Sequence, residues 1–163
     1  MKIRNNFSEE EIKLMNKIDI EIEDKEYTNE EIRNICNIIY RNGYMNISLS
    51  YNEAELYRKL SEKLKILSKV DVYKLNKYTK KEFDDDFYMS TILMHGVVWN
   101  NPKRINTGRK ISGKEPLTQE EYDKFKKINE ENTIKFDEYI QYLKQKYGED
   151  LDAVNNYYAL KNE

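Results

Sequence analysis

In 163 residues the sequence has one cysteine (Cys36), one histidine (His95), one tryptophan (Trp99), two prolines (Pro102, Pro116) and five glycines. A single cysteine excludes an internal disulfide. Within the apolar helical pattern Ile35-Cys36-Asn37-Ile38, Cys36 reads as a small core side chain. No apolar run approaches the ~18 residues needed to span a bilayer, and the opening MKIRNNFSEE lacks the hydrophobic region of a signal peptide. The expectation is a cytoplasmic protein with no membrane partner.

The same scarcity limits the chemistry. Nucleophilic catalysis by Ser or Cys needs a base within reach, and one histidine with no G-x-S-x-G elbow offers none. The acidic run Glu82, Asp84, Asp85 and Asp86 with His95 is the best metal candidate. On one helix, however, Asp84 and His95 stand ~16 Å apart along the axis, too far to share an ion. Glu23-Asp24-Lys25 has an E-x-K spacing found in nuclease strands, but no aspartate precedes Asp19. Gly108 to Gly113-Lys114 has P-loop spacing, yet Glu115 replaces the required Ser/Thr and no strand precedes it. No catalytic residue, metal or cofactor is expected.

What the sequence does have is helix-start chemistry. Phe7-Ser8-Glu9-Glu10-Glu11-Ile12 combines a capping box with a hydrophobic staple. The arrangement returns at Tyr27-Thr28 to Ile32, Tyr78-Thr79 to Phe83 and Leu117-Thr118 to Tyr122. With apolar periodicity these starts predict helices over 9–17, 29–42, 52–69, 80–95, 118–147 and 149–161, the fifth with a bend or break near 129–133. Two alternating segments, 18–23 and 45–51, have the pattern of short strands that pair as a small ribbon, with a non-regular loop as the alternative reading. The expected fold is mainly α, a single compact domain over 1–163 with five or six helices and at most a minor β-ribbon or hairpin.

From His95 to Pro116 the helical pattern stops. This stretch holds both prolines, three of the five glycines and, over 101–114, five basic residues without an acidic one. It predicts an irregular basic loop at about 96–116, or a hairpin turning at Asn106-Thr107-Gly108. Loops of this kind commonly carry binding groups, so Trp99, Lys103, Arg104, Arg109, Lys110 and Lys114 are the candidate partner-binding residues. A second positive stretch, 58–81, has nine basic and two acidic residues. Its Arg58, Lys59, Lys63, Lys74, Lys77, Lys80 and Lys81, interleaved with Tyr57, Tyr73 and Tyr78, are the candidates for binding nucleic acid, where cations and aromatic platforms act together. Helices followed by a basic hairpin also resemble a winged helix in topology. The net charge of −2 opposes a dedicated nucleic-acid binder. Fourteen tyrosines favour a protein or nucleoprotein partner instead, because tyrosine is enriched at interfaces.

The segment FSEEEIKLMNKIDIEIEDKEYTNEEIRNI resembles parts of small uncharacterised proteins from AT-rich bacteria and their mobile elements. The resemblance covers residues 7–40, consists mostly of capping chemistry and transfers no functional residue. It implies a setting, in which the sharpest form of a binding role is inhibition of a host nuclease complex in the manner of an anti-CRISPR.

Overall fold

The computed structural model describes residues 3–42 and 49–161. They form eight α-helices after a short 3-10 turn at Ile3–Asn6: α1 (Glu9–Lys17), α2 (Asn29–Asn42), α3 (Tyr51–Lys69), α4 (Val72–Leu75), α5 (Lys80–Trp99), α6 (Pro102–Ile111), α7 (Gln119–Tyr147) and α8 (Leu151–Leu160). The chain is mainly helical, with no strand among the described residues. The helices exceed the expected five or six by α4 and α6.

Capping decides where these helices begin. The boxes at Ser8, Thr28 and Thr118 close in both directions: each hydroxyl accepts from the backbone N–H three residues on, and that Glu accepts from the cap's own N–H. A further box, Ser50 with Glu53, starts α3. It was not among the four expected.

The alternation at 18–23 is real in burial but does not make a strand. α1 stops where Asp19 adopts φ 61°. There Asp19 N–H donates to Asn16 O (3.2 Å) and Ile20 N–H to Met15 O (2.9 Å), the 5→2 and 6→1 bonds of a Schellman stop. Beyond it the chain runs extended. Ile18, Ile20 and Ile22 are buried while Asp19, Glu21 and Glu23 are exposed. Tyrosine hydroxyls take the backbone amides that a neighbouring strand would have taken, Tyr27 Oη from Glu23 (2.7 Å) and Tyr73 Oη from Tyr27. The other alternating segment, 45–51, lies mostly outside the described residues. Its last residue, Tyr51, opens α3.

The chain divides into two compact units, Met1–Thr79 with Tyr147–Glu163, and Lys80–Lys146. In the first, α3 is central and α1, α2 and α8 pack on it. Leu60, Leu64 and Leu67 of α3 are buried, as are Leu14, Met15, Ile32, Ile39, Val154, Tyr157 and Tyr158 from the surrounding helices. Burying an aliphatic side chain of this size contributes roughly 1.5–3 kcal/mol. The tyrosines of this unit mostly tie down carbonyls and amides. Tyr57 donates to Ile39 O, Tyr158 to Leu75 O (2.9 Å) and Tyr157 to Asn76 Oδ1 (2.8 Å). Cys36 is structural: its thiol donates to Leu64 O (3.1 Å), and burial pushes its pKa up to about 11.

In the second unit α5 and α7 run antiparallel. Near the start of α5, Asp86 receives Tyr139 Oη on its carbonyl (2.9 Å) and Lys146 Nζ on its carboxylate (2.7 Å). Near its end, Gly96 and Val97 meet Asn132 and Asn129 of α7. α7 is one unbroken helix of 29 residues.

One ion pair in the first unit is largely withdrawn from water. Lys63 Nζ lies 2.8 Å from both Glu11 carboxylate oxygens and 3.1 Å from Asn6 O. Glu11 is only 5% exposed. Removing one partner of such a pair strands the other without compensation. Lys63→Ala should therefore lower the unfolding free energy by about 2–3 kcal/mol, below the full buried-pair range because the Lys63 side chain keeps 20% of its surface in water. Lys77→Ala, on an exposed side chain, should leave stability unchanged. Urea denaturation of the two variants measures both.

Candidate interaction surface

A helix leaves its last four carbonyls without intrahelical partners. At the end of α5 those belong to Gly96, Val97, Val98 and Trp99, and their satisfaction shapes everything that follows. Asn132 Nδ2 (3.2 Å) and Asn100 Nδ2 (2.7 Å) both donate to Gly96 O. Asn129 Nδ2 donates to Val97 O, and Asn101 N–H reaches Val98 O at 3.4 Å. Asn129 and Asn132, in the stretch expected to bend or break α7, are thus its docking contacts. Glycine at 96 costs helix propensity but does not end α5, since the tertiary bonds compensate.

The chain turns at Asn100-Asn101 and starts again at once. Asn101 Oδ1 accepts from Lys103 N (3.0 Å) and Arg104 N (3.2 Å), with Pro102 in the first helical position. There the missing amide is no loss and the fixed φ suits the helix. α6 runs to Ile111 and ends with Gly113 at φ 67°, Gly113 N–H donating to Lys110 O and Lys114 N–H to Arg109 O (2.8 Å). The basic island is therefore a helix–turn–helix rather than the expected loop or hairpin, and a winged-helix likeness falls with the hairpin. The near-match to a P-loop is a helix C-terminus, which presents carbonyls where a phosphate needs amides.

The expected partner-binding residues separate on this scaffold. Trp99 is 70% exposed, with the Arg104 guanidinium 6.0 Å from its ring centroid. Lys103 and Lys110 are exposed and, seven residues apart, share one face of α6 with Thr107. Lys110 and Lys114 flank an open pocket of about 390 Å³ lined also by Asn106, Thr107 and Pro116. Arg109 does not belong to this face. Its Nε donates to Glu115 O at 2.6 Å, and together with Leu117 N–H to Asn106 Oδ1 (2.7 Å) this pins the 112–118 turn. Among the described residues, no carboxylate lies within ion-pair distance of Lys103, Arg104, Lys110 or Lys114.

The candidate nucleic-acid residues are mostly committed elsewhere. Arg58 is held between Glu55 (2.7 Å) and Glu62 (2.9 Å), and Lys63 by Glu11. Lys80 pairs with Asp84 and Lys81 with Asp85 (2.7 Å). Lys59 is exposed beside a groove shared with Glu10, Glu53 and Glu55. Lys74 lies in α4 and Lys77 follows it, within the first unit. Sequence reasoning missed Ile111, which is 83% exposed at the end of α6, and the exposed Tyr88 and Ile92 of α5. Apolar residues of this kind read as core until a structure shows which helix face has no neighbour. No group of three His, Cys, Asp or Glu able to hold a metal ion occurs among the described residues, and none of their helices is long and apolar enough to cross a membrane.

The chain matches no protein-family model, no curated protein and no solved structure.

The side-chain caps from α7 predict a specific sensitivity. Asn129→Ala/Asn132→Ala should destabilise the second unit by about 1–3 kcal/mol, from two lost hydrogen bonds. Gly96→Ala should be tolerated, because a Cβ there meets Asn132 Nδ2 at an ordinary 3.5 Å and alanine favours the helix. Trp99 is the only tryptophan, so its emission during denaturation reports this unit.

Proposed function

We propose that the protein is a non-catalytic binding protein that uses the outer face of α6 and the turn after it to engage an acidic surface on a macromolecular partner. The observation that carries this reading is the pair Lys110 and Lys114. They are exposed, lie outside ion-pair reach of any described carboxylate and flank one pocket lined also by Asn106 and Thr107. An Asp or Glu side chain seated there would meet two ammonium groups. Lys103 extends the same face. A charged rim of this kind governs which partner binds and how fast.

A protein partner suits this surface better than nucleic acid. A nucleic-acid footprint needs several phosphate-facing cations along a path, and Arg58 is held between two carboxylates while Lys63 is held by the buried Glu11. With the mobile-element resemblance of residues 7–40, the sharpest form of the proposal is an inhibitor of a host nuclease complex, acting as anti-CRISPR proteins do.

The test compares the wild-type chain with Lys110→Glu/Lys114→Glu as bait in lysate of an AT-rich bacterial host, read by quantitative mass spectrometry. The proposal expects a protein or nucleoprotein that the wild type retains and the variant captures at least about tenfold less, the equivalent of 1.4 kcal/mol. Identical capture by both chains would remove the α6 face from the account. Gel shifts at low salt, positive with nucleic acid alone and lost in the variant, would favour the nucleic-acid reading instead.

A further inference from the structure

A second surface of the same unit points elsewhere. On α5, Tyr88, Ile92 and Trp99 are 66%, 45% and 70% exposed, and His95 is exposed with them. Steps of four, three and four residues place all four on one stripe, about 60° wide and ~16 Å long. Asp86 and Val97, which meet α7, lie roughly 160° away around the same helix. The stripe is therefore the face of α5 turned away from α7, and it carries two large aromatic side chains in water. Contiguous exposed apolar surface of this kind marks an interaction site.

The charges along the stripe indicate what covers it. At its N-terminal end Lys80, Lys81, Glu82, Asp84 and Asp85 sum to one net negative charge, with Lys81 in line with Trp99. The Lys80–Asp84 and Lys81–Asp85 pairs are exposed, contribute little and are readily exchanged. At its C-terminal end the charge reverses: His95 is followed by Lys103 and Arg104, with Arg104 against the Trp99 ring. A surface that changes sign from end to end is complementary to itself when turned around. Two-fold symmetry requires this, because every contact in such an interface occurs twice.

We propose that the protein forms a two-fold dimer by pairing α5 antiparallel with α5 of a second copy. With the axis between Ile92 and His95, Tyr88 of one copy meets Trp99 of the other and Ile92 meets His95. The same register sets Asp84 and Asp85 at the level of Arg104 in the other copy and brings these acidic side chains to the N-terminus of its α6, where the helix dipole favours negative charge. Parallel pairing would place like charges together. Lys110, Lys114 and Ile111 lie outside the stripe, so the dimer leaves the α6 face available and shows it twice. One helical stripe buries less than the ~1,600 Å² of a standard interface. A dissociation constant of about 10 μM, some 7 kcal/mol, is the scale to expect.

Sedimentation velocity of the full chain over a wide micromolar range at low salt tests the dimer, with Trp99 emission followed on the same samples. The expected result is a mass rising from one chain to two as concentration increases, with a blue shift as Trp99 leaves water. Ile92→Glu should stay monomeric. Asp84→Lys/Asp85→Lys and Arg104→Glu should each weaken association about tenfold, and the combined variant should recover it. Circular dichroism confirms that each remains helical. If Ile92→Glu fails to fold, the charge reversals and their mutual rescue still decide. A wild-type chain that stays monomeric throughout would overturn the proposal, as would association indifferent to all these substitutions. A monomer whose Trp99 emission shifts only on adding single-stranded DNA would also overturn it and assign the stripe to that ligand.

Discussion

The end of α5 is the constraint on which the candidate surfaces depend. Four carbonyls at a helix terminus must find donors, and here two come from asparagines of another helix. Asn129 and Asn132 of α7 reach Val97 O and Gly96 O while Asn100 adds a second bond to Gly96 O. Because α7 closes the end, the chain needs only Asn100 and Asn101 before α6 begins. A two-residue turn fixes α6 against α5 closely enough for Arg104 to sit over the Trp99 ring. Without those bonds the basic residues would sit on an untethered segment and lose any shared direction.

The same economy of satisfied termini explains how the positive charges are used. Arg58, Lys63, Lys69, Lys80 and Lys81 of 58–81 are paired with carboxylates, while Lys59 and Lys77 stay exposed. The island differs because no carboxylate occurs between Asn101 and Lys114. Arg109 alone is taken up, by the carbonyl of Glu115. Lys103, Arg104, Lys110 and Lys114 keep their charge for something outside the described chain. Among the tyrosines a similar sorting holds: Tyr27, Tyr147, Tyr157 and Tyr158 are buried, whereas Tyr51, Tyr88 and Tyr142 face water.

The starts of α1, α2, α5 and α7 were legible in the sequence to within a residue, because a capping box is written in four adjacent letters. α6 was also written there. Asn101-Pro102 is a helix cap with proline in the first position, and Ser112-Gly113 is a helix stop. The density of Gly and Pro hid both signals, since punctuation that begins and ends a helix looks like punctuation that prevents one. Gly108 sits inside α6 in open space, and Gly96 sits inside α5, so neither breaks anything. The strand at 18–23 failed for a different reason. Alternation reports which side chains are buried, and an extended segment lying on helices alternates as a strand does. The role of residues 129–133 was beyond sequence reasoning, because nothing local says that two asparagines will meet carbonyls 32 and 36 residues away.

The direct measurement of this account is amide hydrogen exchange across residues 96–118 of the full chain. A helix–turn–helix held by α7 predicts slow exchange at the α6 amides from Ile105 to Ile111, where each N–H has an intrahelical partner, and at Leu117, whose amide is bonded to Asn106. The amides of Asn100 and Pro116-flanking Glu115 should exchange quickly. Uniformly fast exchange through Asn101–Lys114 would contradict the account and return the island to an irregular loop.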